Sequence, residues 1–124
     1  MNQWLCLALG GTVGTLLRYV LAGWVLQRTG TSFPFGTLTV NLSGCFLIGF
    51  FTVFLESRWP LSSGARLLLI VGFCGAFTTF STFIFEFYDL IRSGGVLRAF
   101  FYAGLSFALG FWLFCAGVWL GNKV

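Results

Sequence analysis

The chain is 124 residues long, 58% hydrophobic and only 8% charged, with a mean hydropathy of +0.96. A soluble domain carries roughly 25% charged residues to keep its surface solvated, so this composition excludes a soluble fold and makes lipid the solvent. The net charge of +4 comes from basic residues scattered singly, a pattern that excludes nucleic acid as a partner.

The length fits a single transmembrane domain over residues 1–124. A bilayer core of about 30 Å takes about 20 helical residues, and four stretches meet that requirement. They run from about Trp4 to Leu26, Gly36 to Leu55, Arg66 to Leu90 and Arg98 to Leu120. Arg28, Gly30 and Pro34 mark the first break, Arg58, Pro60 and Gly64 the second, and Arg92 to Gly95 the third. Trp4, Trp24, Trp59, Trp112 and Trp119 mostly fall near span ends, where indole prefers the interface. The loops are too short for an extramembrane domain. No cleaved signal peptide is expected, because Met1-Asn2-Gln3 lacks a basic region and no small-x-small site ends the first apolar run. Cys6, Cys45, Cys74 and Cys115 all lie in apolar runs without metal or disulfide spacing, and read as reduced core residues.

Four spans put both termini on one face. Arg58, Arg66 and Lys123 fall on that face, and Arg28, Arg92 and Arg98 on the other, three against three. Since Lys/Arg imbalance orients short-loop proteins, the chain has almost no topological preference. Two explanations stay open: a weak bias resolved by the insertion machinery, or insertion both ways up into an antiparallel pair. Gly10 with Gly14, Gly44, Gly49, Gly72, Gly75, Gly117 and Gly121 permit close helix approach and point to a tightly packed oligomer.

Polar groups inside hydrocarbon are candidate sites until explained. In the first span, Arg18 is the charge deepest in the apolar run. It either snorkels or pairs structurally, or it draws an anion into a vestibule. The second span opens Gly36-Thr37-Leu38-Thr39-Val40-Asn41-Leu42-Ser43-Gly44. Thr37 and Asn41 share a helix face and Thr39 lies on another. Asn41 falls about 8 Å inside the span, where it either joins two helices or lines a pore. The Asn41-Leu42-Ser43 sequon is accidental inside a helix. The third span carries Gly72-Phe73-Cys74-Gly75-Ala76-Phe77-Thr78-Thr79-Phe80-Ser81-Thr82-Phe83, with hydroxyls near its middle. They either bond back to the preceding turn or loosen the helix and break it at mid-membrane. Carbonyls freed by a break suit a cation, whereas hydroxyls and a half-helix N-terminus suit an anion. Phe80 and Phe83 share a helical face, and their electropositive ring edges could hold a small anion. Glu86 is a counter-charge for Arg18 or a residue of a pore mouth.

On these residues the sequence resembles the Fluc (CrcB) family of fluoride channels. The resemblance covers essentially the whole chain and rests on three motifs: the first-helix glycines with Arg18-Tyr19, the Gly-Thr-Leu-x-Val-Asn run through Asn41, and the third-helix Thr-Phe-Ser-Thr-Phe. It implies an all-α membrane protein of four transmembrane helices, the third broken, assembled as an antiparallel dual-topology homodimer in the cell (inner or plasma) membrane. Two narrow pores would pass fluoride passively out of the cell, discriminate against chloride and protect against fluoride toxicity. Phe80 and Phe83 would be the pore phenylalanines and Asn41 a fluoride donor. Ser81, Thr82 and Thr39 would complete the polar lining. Tyr102 and Ser106 match a polar track on the fourth helix, whose next one-turn steps here are Gly110 and Phe114. Ala76 stands where many relatives have Gly. The carbonyls of Gly75 and Thr78, doubled by symmetry, would hold a structural Na⁺ at the dimer centre.

A small four-helix drug or cation exporter needs a carboxylate on its first helix, where this chain carries Arg18 instead. A non-transporting membrane assembly protein leaves the hydroxyl run unexplained. An enzyme has no nucleophile–base pair, metal cluster or phosphate loop to use.

Overall fold

A computed structural model describes residues 2–58 and 63–124. The expectations for Trp59 and Pro60 lie outside them. The regular elements among the described residues are all helices, with no strand. Four stretches are long and apolar enough to cross a membrane: Gln3–Thr29, Phe35–Ser57, Ser63–Arg92 and Val96–Lys123.

Helix α1 spans Gln3–Thr29. The Asn2 side chain accepts the Trp4 N–H at its start, and Gly30 closes it at φ 58°, donating to the Leu26 carbonyl oxygen. Pro34 follows, where its missing N–H costs nothing, and α2 covers Phe35–Arg58. The third span begins with a short α3 (Ser63–Arg66) and widens into a π-helix over Leu67–Cys74. It continues through one α turn, α4 (Gly75–Phe77), and the extended pair Thr78–Thr79, and ends in α5 (Phe80–Arg92). Gly94, at φ 85°, turns the chain into α6 (Val96–Lys123). The helices run past the apolar stretches that announce them. Arg28, Arg92 and Lys123 sit in last turns, where a cation opposes the negative end of the helix dipole. Arg28 and Lys123 also lie over the Trp24 and Trp119 rings, at 5.1 and 4.6 Å.

Helix α1 packs chiefly on the third span, and α2 chiefly on α6. Glycines set both contacts. A Cβ at Gly10 would meet the Leu68 carbonyl oxygen and the Phe73 amide nitrogen; one at Gly14 would meet the Phe73 carbonyl oxygen and the Phe77 amide nitrogen. Gly49, Gly117 and Gly121 face the opposing backbone in the same way across α2 and α6, and Gly44 faces the Thr78 methyl. The glycine pattern that suggests an oligomer is therefore used to close one subunit. With no hydrophobic force drawing helices together in lipid, backbone approach supplies the dispersion contact. Gly75 is the exception: it is exposed, with ordinary contact only to Ile70.

Few side chains are buried, among them Cys6, Val40, Cys74, Ala99 and Tyr102, while Phe107 is 86% and Phe80 74% exposed. An apolar exterior over a small core is what a lipid solvent requires. The Arg66–Glu56 ion pair, at 3.9 Å, is exposed and contributes little.

Gly14→Ala should lower the thermal midpoint in detergent, corresponding to about 1–3 kcal/mol of overpacking. Gly11→Ala, which meets open space, should leave the midpoint unchanged or raise it. Equal behaviour of the two variants would refute the packing account.

Candidate functional site

The polar residues of the second and third spans meet at Thr78 and Thr79. Thr78 has φ −87°, ψ 159°, and Thr79 has φ −148°, ψ 122°. The N–H and hydroxyl of Thr78 both donate to the Cys74 carbonyl oxygen, at 3.0 and 2.9 Å. Thr79 turns elsewhere. Its N–H donates to Asn41 Oδ1 at 2.8 Å, and Asn41 Nδ2 donates to its carbonyl oxygen at 3.0 Å. One primary amide thus pairs with both backbone groups of Thr79. The Thr79 hydroxyl accepts the Thr82 N–H at 3.3 Å as the N-cap of α5 and donates to Thr82 Oγ1 at 3.0 Å.

Backbone accounting shows what this leaves. The Gly75 carbonyl would take the Thr79 N–H in a continuous helix, but Asn41 holds that donor. The Thr78 carbonyl would take the Thr82 N–H, but Thr79 Oγ1 holds it. Both carbonyl oxygens are released from helical pairing. The Ala76 carbonyl accepts from Arg18 Nε at 3.1 Å, so this guanidinium is structurally paired. Phe80 opens α5, whose first amides lack helical acceptors and form its positive end.

Two clefts flank the extended pair, and Thr79 borders both. The first, about 680 Å³, is lined on its polar side by Thr15, Arg18, Thr37, Thr82 and Glu86. Glu86 accepts from the Thr37 hydroxyl at 2.7 Å and the Tyr102 hydroxyl at 2.8 Å. It does not pair with Arg18, although the two share the cleft. The second, about 380 Å³, is lined by Asn41, Gly75, Thr78, Phe80, Phe83 and Ser106, among others. The Phe80 and Phe83 ring centroids are 5.9 Å apart, and Phe83 lies 5.0 Å from Tyr102. Ser106 Oγ is buried without a hydrogen-bond partner among the described residues.

The expected site residues therefore divide. Asn41, Phe80, Phe83, Ser106, Gly75 and Thr78 share the second cleft; Arg18, Glu86 and Thr82 share the first. Ser81 Oγ lies 3.5 Å from Thr79 Oγ1 on an exposed position. Tyr102 is fully buried behind Phe83 and holds Glu86. Thr39 borders neither cleft. Two residues carry more than the sequence assigns them. Thr79 caps and clamps, and the signal for it was a hydroxyl immediately before an apolar helical run. Thr37 anchors Glu86, a long-range partnership with no local signal.

This is a polytopic membrane protein of four apolar helices with polar side chains gathered around an extended turn of the third span. The chain belongs to the CrcB family: the model of the CrcB-like protein, Camphor Resistance (CrcB), matches residues 5–118. The "Fluoride-specific ion channel FluC" of Desulforapulum autotrophicum is 46% identical over 99% of this chain and 98% of its own. The protein of that name from Roseiflexus sp. is 48% identical over 97% and 94%. That from Maridesulfovibrio salexigens is 41% identical over 100% and 98%.

Asn41→Leu should strand the N–H and C=O of Thr79 and cost about 2–6 kcal/mol, since each orphaned group costs about 1–3 kcal/mol. The detergent unfolding midpoint reads this loss. Thr52→Val removes a hydroxyl that bonds only the Ile48 carbonyl oxygen of its own helix and should be near neutral.

Proposed function

We propose that this chain is a passive fluoride-selective channel that exports fluoride from the cytoplasm and protects against its toxicity. The observation that carries the reading is its 41–48% identity, over nearly the full length, to proteins named fluoride-specific ion channels. The second cleft has chemistry that suits the task. A small, strongly hydrated anion must exchange water for other donors, and neutral donors bind it without trapping it. Asn41 spends one of its two amide hydrogens on Thr79, leaving the other for an anion. The Ser106 hydroxyl is unpaired, and the edges of Phe80 and Phe83 supply weak positive potential. The hydroxyls of Ser81, Thr82 and Thr39 extend the lining. Arg18 and Glu86 lie in the first cleft, read as the vestibule, where Arg18 raises the local anion concentration. No energy source is needed. An inside-negative potential drives a monovalent anion outward with about 2.3 kcal/mol per 100 mV.

The functional unit in this reading is an antiparallel homodimer in the cell (inner or plasma) membrane, with two pores and the extended pair at mid-membrane. The balance of three basic residues against three supports it, as does the strong exposure of Phe80 and Phe107 beside the cleft. The carbonyl oxygens of Gly75 and Thr78 are the residues that would hold a structural Na⁺. They fit it as donors, being neutral oxygens freed from helical pairing and bordering one cleft. Two oxygens do not make a coordination shell, and a second inverted copy supplies two more. The ion would neutralise the facing carbonyl dipoles.

Liposomes containing the purified chain should release fluoride and retain chloride, followed with ion-selective electrodes; absence of fluoride efflux would sink the channel reading. In intact cells, an impermeant maleimide should reach both Thr31→Cys and Lys123→Cys, on opposite membrane faces, in a fraction of molecules each. Strictly one-sided labelling refutes dual topology. Exchange of Na⁺ for a bulky organic cation should weaken the dimer on size-exclusion chromatography, and an unchanged dimer would remove the case for the ion.

A further inference from the structure

The second cleft has another polar side chain on its wall, Cys45. On α2 it lies one helical turn beyond Asn41, on the same face. Opposite, α6 carries Ser106 and, one turn on, Gly110. Gly110 is buried, and a Cβ there would stand 3.4 Å from Cys45 Sγ and 3.9 Å from Leu42 Cδ2. The helix facing the cleft therefore offers no side chain a turn past Ser106, and a thiol from α2 stands against the vacant position. The Ser106 hydroxyl in the same cleft is buried and unpartnered. The wall thus runs from the Asn41 amide and the Ser106 hydroxyl to the Cys45 thiol.

We propose that Cys45 lines the anion path of this channel, its S–H acting as the donor beyond Ser106 in place of a side chain that Gly110 does not provide. The inference rests on the channel reading of the second cleft. A thiol is a weak, neutral donor. It can share an ion with the Ser106 hydroxyl without holding it, and conduction requires sites weak enough to leave. The other cysteines differ in placement. Cys6 is fully buried, Cys74 reaches the cleft but is only 1% exposed, and Cys115 is exposed and borders neither cleft.

The test is fluoride efflux from liposomes holding the full chain, before and after methylmercury. This small reagent replaces the thiol proton with a CH₃Hg group and so fills the path. The wild-type chain should lose most of its flux, and Cys115→Ser should lose it equally. Cys45→Ser keeps a donor at this position; it should still pass fluoride and resist the reagent. Cys45→Val should resist it too and conduct roughly threefold more slowly, the effect of losing one weak hydrogen bond. Block that persists in both Cys45 variants overturns the proposal. So does a wild-type channel that keeps its flux, whether mass spectrometry finds Cys45 mercurated or unmodified. A wild-type chain that passes no fluoride before the reagent overturns the channel reading as well.

Discussion

The amide of Asn41 takes the place of two helical hydrogen bonds at once, donating to the Thr79 carbonyl oxygen at 3.0 Å and accepting its N–H at 2.8 Å. In water an interrupted helix can hand its free backbone groups to solvent. In hydrocarbon it cannot, so an extended turn persists only where the protein supplies partners. Asn41 does so from a neighbouring span, joining α2 to the third span at the point where helical pairing lapses. The two earlier alternatives, helix glue and pore lining, use different hydrogens of one NH₂ group and are compatible.

Everything polar nearby follows from that substitution. Because Thr79 N–H faces Asn41, the Gly75 carbonyl loses its donor. Because Thr79 Oγ1 caps α5, the Thr78 carbonyl loses its own. Arg18 reaches from α1 to the Ala76 carbonyl oxygen, so three spans converge on one turn. The outcome is two orientations of backbone dipole within a few residues: carbonyls that favour a cation, and the amino end of α5, which favours an anion. On the far side, Thr37 and Tyr102 hold Glu86 between α2 and α6.

Such a turn needs rigid surroundings, and glycine supplies them. Gly10 and Gly14 bring α1 onto the backbone of the π-helix and α4, while Gly49, Gly117 and Gly121 bring α2 and α6 together. The π-helix over Leu67–Cys74 is wider than an α-helix, and the Gly75 N–H reaches back to the Ile70 carbonyl oxygen. Backbone meets backbone along both pairs, leaving side chains to fill only the clefts and the lipid face.

Much of this was legible in the chain itself. Charge content dictated lipid as solvent, apolar run length dictated four spans, and the density of hydroxyls around Phe80 marked the third span as the one to examine. Spacing put Phe80 and Phe83 on one face, since local periodicity is a property of sequence. Partnerships between spans are not. Nothing local says that Asn41 meets Thr79, that Glu86 prefers two hydroxyls to Arg18, or that the glycines close a single subunit. Thr39 is as polar as Thr37 and lies two residues from it, yet it borders neither cleft, because a helix turns about 100° per residue and packing selects the face. Sequence determined the solvent, the spans and the supply of polar groups. The tertiary structure alone decided which group meets which, because in hydrocarbon each must find a partner on another helix.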